Sequence, residues 1–219
     1  EIIMDAVYDN LQGIFPFGFF IKIPYLEGIG PESLKYLEKS SYIFFGGTNS
    51  LSSDMLKYKQ WGIDVSNYNK IKNVVMMGIG WWQYQEKPTS YTRKLLGKVL
   101  HQEFIHSARD SYTAQMMSDA GIRNVLVTGC PTLWKLDSKN CIEIPSQKSD
   151  EVLLAVTNYS QNPGLDNRLV ELLTKHYAKL HCWIQGPEDY EYARKLNPDI
   201  NFIPPSIKSL DSFLSSSKS

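Results

Sequence analysis

At 219 residues the chain is long enough for one large domain or two small ones, and it can bury a sizeable core. Its 23 Lys and Arg balance 23 Asp and Glu, which removes the case for a nucleic-acid or acidic-lipid surface. Three cysteines, Cys130, Cys141 and Cys182, stand far apart with no C-x-x-C, so neither a zinc knuckle nor a disulfide framework is indicated and a reducing interior suits them. No apolar run approaches the roughly eighteen residues of a membrane span. The chain starts at Glu1 inside an amphipathic helix and stops in Ser215-Ser216-Ser217-Lys218-Ser219. Both ends read as cut, so the lack of a targeting signal carries little weight.

Residues 1 to 12 place Ile2, Ile3, Ala6, Val7 and Leu11 near one helical face, with Gly13 as the expected stop. Phe17 to Ile23, rich in aromatic and β-branched residues, reads as a strand ended by Pro24. Pro31 starts a helix to about Lys39. Tyr42 to Phe45 is a buried strand, and Gly46-Gly47-Thr48-Asn49 forms the corner at its carboxyl end. Two glycines there would let backbone and bare N–H groups approach an anion, although the glycines alone favour a tight turn. Ser52 to Tyr68 reads as a long functional loop. Val74 to Met77 is the next strand, followed by Gly78-Ile79-Gly80-Trp81-Trp82. Without a third glycine or an immediate helix this is no dinucleotide fingerprint, and its tryptophans suit the core better than a sugar platform. Ser90 to Leu100 is helical, with Leu95, Leu96 and Val99 turned inward.

The most informative stretch runs from His106 to Trp134. A short strand, Glu103 to His106, leads to the charged corner Ala108-Arg109-Asp110. Asp110 or Ser111 caps a helix bearing Thr113, Met116, Met117 and Ala120 on one stripe, and Gly121 ends it. Asn124 to Thr128 returns as a strand, broken by Gly129-Cys130-Pro131. Pro145 to Asp150 is polar and proline-bearing and marks the expected domain boundary. Beyond it come strands at Val152–Val156, Leu180–Ile184 and Asn201–Ile203. Helices are expected over Gly164–Tyr177, Pro187–Leu196 and Ser209–Ser216. Strands alternating with helices argue for an α/β fold with a parallel sheet in each half, residues 1–145 and 146–219.

The usual catalytic constellations fail in turn: there is no G-x-S-x-G, no G-x-x-x-x-G-K-[ST] and no H-E-x-x-H. His176 and His181 show no metal spacing. His106, nearest the charged corner, fits a satisfied core histidine better than a base. What remains is a set of polar corners at strand carboxyl ends, where open α/β sheets bind ligands. They comprise Gly46, Gly47 and Asn49; Gly78 to Trp81; Arg109 with Asp110; Thr128 to Pro131; Thr157, Asn158 and Tyr159; and Gln185. Arg109 is the cation in the right topological place, since guanidinium grips planar anions with two donors. On residues alone, an Arg109–Asp110 pair that merely fixes the corner explains the sequence better.

The pattern Arg109-Asp110, a serine or threonine, a methionine pair, Ala120-Gly121-Ile122, a strand and Thr128-Gly129-Cys130-Pro131-Thr132-Leu133-Trp134 resembles the polysaccharide pyruvyl transferase family. Weaker likeness extends to Ile2–Leu11, Phe44-Phe45-Gly46-Gly47, Gly78-Ile79-Gly80 and Ile184-Gln185-Gly186. The resemblance implies two Rossmann-like domains facing across a cleft, as in GT-B glycosyltransferases, the second apparently truncated in this chain. It implies transfer of a pyruvyl group from phosphoenolpyruvate onto a sugar as a ketal, in the cytoplasm, with no metal and no cofactor beyond the donor. The substrate-binding set it suggests is Arg109, Asp110, Gly46, Gly47, Asn49, Thr157, Asn158 and Gln185, with corners of both halves facing one cleft. An Asn-x-Gly-Asp loop that precedes the first helix in the family has no counterpart here. The family's Arg-x-His signature, thought to supply the acid that protonates the enol carbon, is also missing from residues 145 to 219. No catalytic acid is therefore assigned, and this chain is expected not to turn over alone. A nucleotide-sugar glycosyltransferase and a non-catalytic ligand-binding fragment are the competing readings.

Overall fold

The computed structural model describes residues 2–25, 28–63, 67–136, 138–142, 146–147 and 149–216. The chain forms two compact units, Glu1–Asn140 and Cys141–Ser219. Pro145, on which the expected boundary was anchored, lies outside the described residues, as do Ser217 to Ser219 of the serine tail.

In the first unit, helix α1 (Ile2–Ile14) runs on through Gly13 rather than stopping there. Helix α2 (Pro31–Lys39) begins on its proline as expected. Strands β1 (Ile43–Gly46) and β2 (Val74–Met77) pair in parallel with Ile43 opposite Val74. Helix α3 (Ser90–Val99) is capped by the Thr89 side chain, which accepts from the Thr92 N–H. Strand β3 (His106–Ala108) precedes helix α4 (Ser111–Asp119), and strand β4 (Val125–Val127) returns parallel to β3. A bridge between Ile79 and Ala108 sets β2 beside β3, so the strands lie in the order β1, β2, β3, β4, all parallel. The core between sheet and helices is built on Leu51, Met76, Ile79, Leu96, Val99 and Met117. Trp81 belongs to it, in keeping with the core reading of that tryptophan.

Two expected strands differ. Phe17 to Ile23 forms no strand: Phe17 is 100% and Phe19 92% exposed, and the segment has no ladder partner among the described residues. β-Propensity reports a fit to a half-buried pleated surface, and without a neighbouring strand the propensity goes unused. The strand expected at Glu103–His106 lies later, at His106–Ala108, with Phe104 and Ile105 exposed. The apolar Phe104-Ile105 pair misled the reading, because the buried anchor is the polar His106. Its imidazole sits between β2 and β3, where Nδ1 accepts from the Met76 N–H at 3.2 Å and Nε2 meets the His101 carbonyl at 2.9 Å. A backbone N–H is always a donor, so Nδ1 is the bare nitrogen and Nε2 carries the proton. His106 is thus a satisfied core histidine.

The short helix α5 (Ser138–Ile142) leads into the second unit. There, β5 (Glu151–Leu154), β6 (Lys179–Trp183) and β7 (Asn201–Ile203) form one parallel sheet in that order. Helix α6 (Pro163–His176) connects the first pair, α7 (Pro187–Leu196) the second, and α8 (Ile207–Ser216) follows. Leu154, Val170, Leu180, Cys182 and Ala193 make a core belonging to this unit. Cys182 is buried in it, and burial pushes its thiol up.

Candidate functional site

Parallel strands deliver their carboxyl ends to one edge of a sheet, and the first unit gathers four corners there. The Gly47 N–H donates to the Met77 carbonyl at 2.8 Å, and the Gly80 N–H to the Thr48 carbonyl at 2.8 Å. The Arg109 N–H donates to the Ile79 carbonyl at 2.7 Å, and the Thr128 N–H to the Ala108 carbonyl at 3.0 Å. The corners after β1, β2, β3 and β4 are thereby sewn together by backbone bonds. Side chains add to the seam. Ser107 Oγ accepts from the Gly78 N–H at 2.8 Å and is hydrogen-bonded to Thr128 Oγ1, and the Trp134 indole donates to the Thr128 carbonyl.

Arg109 stands at this edge. Its Nη1 donates to Asn49 Oδ1 at 3.2 Å, a contact between residues 60 positions apart. Nε and Nη2 are buried and have no hydrogen-bond partner among the described residues. On a guanidinium these two nitrogens carry parallel N–H bonds along one edge, the geometry that takes two oxygens of a carboxylate or phosphate. A buried, unspent cationic fork is costly to maintain unless an anion completes it. Ser50, beside Asn49 and 1% exposed, likewise holds a hydroxyl with no partner among the described residues.

The backbone around the fork is strained. Thr48 is a β-branched residue at φ 54°, in the left-handed region that such residues avoid. Gly80 owes its identity to Asn49: a Cβ there would come within 2.1 Å of Asn49 Oδ1, the atom that holds Arg109. Gly46 and Gly47 answer a different demand. A Cβ on Gly46 would meet Val7 at 2.8 Å and one on Gly47 would meet Ile3 at 2.0 Å, so the glycines admit helix α1 against the corner. Gly47 also takes φ 66°.

Of the residues singled out in the sequence, the structure therefore unites Arg109 with Asn49 and brings Gly46 and Gly47 to the same edge. Asp110 does not pair with Arg109; its Oδ1 accepts from the Thr113 N–H at 2.7 Å and caps α4. The second unit has a corner of its own. Thr157 and Asn158 follow β5, and Gln185 follows β6 as an exposed side chain. Asp189, buried in the first turn of α7, joins the two, accepting from the Asn158 N–H at 2.7 Å and the Gly186 N–H at 2.8 Å. Asp189 was not singled out in the sequence as a site residue; its carboxylate at the third helical position reaches back to the N-cap Gly186 N–H, half of a capping box. Ser50 was not singled out in the sequence, and Gly80 only as part of the Gly78–Trp81 corner, since neither a lone serine nor a Gly-x-Gly pair points to chemistry without its neighbours. Among the described residues no cluster of three or more His, Cys, Asp or Glu side chains could hold a metal ion. No described helix is long and apolar enough to cross a membrane.

Compared with known proteins, residues 1–218 match the family model for polysaccharide pyruvyl transferase. No curated protein and no solved structure matches the chain.

Proposed function

The chain belongs to the polysaccharide pyruvyl transferase family and is a transferase, and from that premise we propose that it takes phosphoenolpyruvate as donor and forms a pyruvyl ketal on a saccharide. In that reaction two sugar hydroxyls add to the enol carbon of the donor. The methylene gains a proton to become a methyl group, and the phosphate leaves. The protein must bind a carboxylate and a phosphate together and fix their orientation, which is work for charge-assisted, two-point hydrogen bonds.

The single observation that supports this reading is the Arg109 fork, with Nε and Nη2 buried and unpaired while Nη1 is tied to Asn49. A structural arginine would spend those donors on protein oxygens. One held by a single nitrogen, at the carboxyl edge of a parallel sheet, is prepared for an anionic guest. The reading carries the rest of the family pattern with it: a GT-B-like pair of Rossmann-like domains, cytoplasmic work on a cell-surface polysaccharide or its precursor, and no cofactor beyond the donor.

Calorimetric titration with phosphoenolpyruvate tests it. Each charge-assisted bond is worth ~1.5–3 kcal/mol, so Arg109→Ala is expected to weaken donor binding at least about tenfold. Arg109→Lys is expected to recover only part of the loss, because an ammonium cannot reproduce the fork. Equal affinity in all three proteins would return Arg109 to a structural role. Tighter binding of a UDP- or GDP-sugar than of phosphoenolpyruvate would move the chain to nucleotide-sugar chemistry.

A further inference from the structure

The first unit opens a concavity of about 610 Å³, walled by Asp54, Tyr58, Tyr84, Gln85, Glu86 and Tyr112 among others. Its walls are near the Arg109 corner in sequence: Tyr112 lies three residues beyond Arg109, and the segment leading to Tyr84 starts from Gly80, which abuts Asn49. The loop carrying Tyr84 is pinned at one residue from several sides. The Gln85 N–H donates to the Tyr112 phenol oxygen at 2.7 Å, and the Tyr112 hydroxyl donates to the Gln85 carbonyl at 3.1 Å. Gln85 Oε1 accepts from the Ser53 N–H at 2.7 Å, and the Ser53 hydroxyl donates to the Glu86 carbonyl. The Trp81 indole, from the core, donates to the same Ser53 oxygen at 3.3 Å.

That anchoring leaves Tyr84 89% exposed, its ring set edge-on to Tyr112 with centroids 4.9 Å apart. Gln83, just before it, sits at φ 57°, a left-handed conformation that a non-glycine residue adopts at a cost. A strained, multiply tethered loop that presents an aromatic ring to water contributes nothing to the core at that position. Tyr58, packed against Trp82 at 4.8 Å between centroids, supplies a second ring. The polar lining decides what the rings are for. Asp54 and Glu86 against one Lys87 make the groove acidic on balance, which disfavours phosphoenolpyruvate, a nucleotide or any other anion. Those carboxylates instead offer acceptors to hydroxyl groups, and the Gln85 amide NH2 offers a donor. A neutral pyranose, with an apolar C–H face and a rim of hydroxyls, matches rings beside carboxylates.

We propose that this groove binds one hexose unit of the saccharide acceptor, with Tyr84 as the platform for its apolar face. Its standing as the acceptor subsite rests on the transferase reading above; hexose binding itself does not. The test is saturation-transfer NMR with methyl β-D-galactopyranoside and methyl β-D-glucopyranoside on wild type, Tyr84→Ala and Tyr84→Phe, with phosphoenolpyruvate calorimetry on the same proteins. Transfer to ring protons of at least one glycoside is expected in wild type. Affinity is expected to fall about tenfold in Tyr84→Ala and to stay within about twofold in Tyr84→Phe, which keeps the ring face. Donor affinity and melting temperature are expected to be unmoved, because Tyr84 is exposed and its ring packs on Tyr112, not on Arg109. Absence of transfer in wild type, equal glycoside affinity in Tyr84→Ala, or an equal loss in Tyr84→Phe would overturn the assignment. Glycoside binding as expected with no donor binding in any variant would sink the donor reading and leave the groove standing.

Discussion

At the scale of single residues, the site turns on how Asn49 is used. Sequence reading offered Asn49 as a ligand contact, and its Oδ1 is instead committed to Arg109. That bond to one nitrogen sets the orientation of the whole planar guanidinium. Asn49→Ala is expected to weaken donor binding about three- to tenfold by freeing the guanidinium, with little change in melting temperature since Asn49 is exposed. Gly80→Ala is expected to do the same, as its new Cβ would fall 2.1 Å from Asn49 Oδ1 and evict that side chain. Because both changes break one contact, the double variant should bind about as weakly as either single one. Titrations of the three variants check this, and additive losses would mean that the two residues act separately. Arg109 stood out by its type and its place after a strand, although residues alone favoured a pair with Asp110, whose carboxylate instead caps α4. Gly80 was legible only as part of a corner, since a glycine's reason lies in what approaches it, here a side chain from another corner. Asp110 was legible as a cap, and capping is what its carboxylate does.

At the scale of elements, periodicity located most helices and strands within a residue or two, including Pro31–Lys39, Val74–Met77, Pro187–Leu196 and Asn201–Ile203. It failed where a segment's partner, not its composition, decides the outcome. Phe17 to Ile23 has strand chemistry without a strand to pair with. His106 shows the converse, a polar residue that joins two strands through its ring. Burial holds its imidazole below the usual value of 6.5, outweighing the His101 carbonyl that favours the proton. The unfolded chain then takes up a proton near 6.5 while the folded chain still resists it, so this stabilisation is complete above 6.5 and lost as pH falls below it. Urea midpoints followed by tryptophan fluorescence are expected to drop as pH falls below 6.5. His106→Ala is expected to cost about 3 kcal/mol at pH 7.5, from the cavity and the orphaned Met76 N–H, and to flatten that part of the pH profile. An unchanged profile in the variant would assign the acid sensitivity to other groups. Glu151 is a separate case: Lys179 and then His181 hold its carboxyl below the usual carboxylate range, so its effect belongs to more acid solution.

At the scale of the whole molecule, the alternation of strands and helices carried the α/β class, and every described strand pair is parallel. The charge balance, also plain in the composition, bears on how an anionic donor is captured. With 23 basic and 23 acidic side chains the molecule has no net field to draw a multiply charged anion from a distance. On the proposed donor reading, affinity would come from short-range contacts, chiefly a fork whose free nitrogens are already out of water. Salt distinguishes these sources. The screening length shrinks from about 10 Å at 0.1 M to about 3 Å at 1 M, which erases interactions between exposed charges and spares a buried, hydrogen-bonded pair. Wild-type affinity for phosphoenolpyruvate is therefore expected to fall by less than about threefold across that range, beyond any direct competition by the added anion. That competition acts on the same fork, so the sharper quantity is the ratio of wild type to Arg109→Ala, measured with a bulky, weakly competing anion. If the arginine's contribution is a buried two-point contact, the ratio stays within about twofold from 0.1 to 1 M. A ratio that collapses toward one at high salt would show Arg109 acting as a surface charge, and the donor would then have to be held elsewhere on the sheet edge.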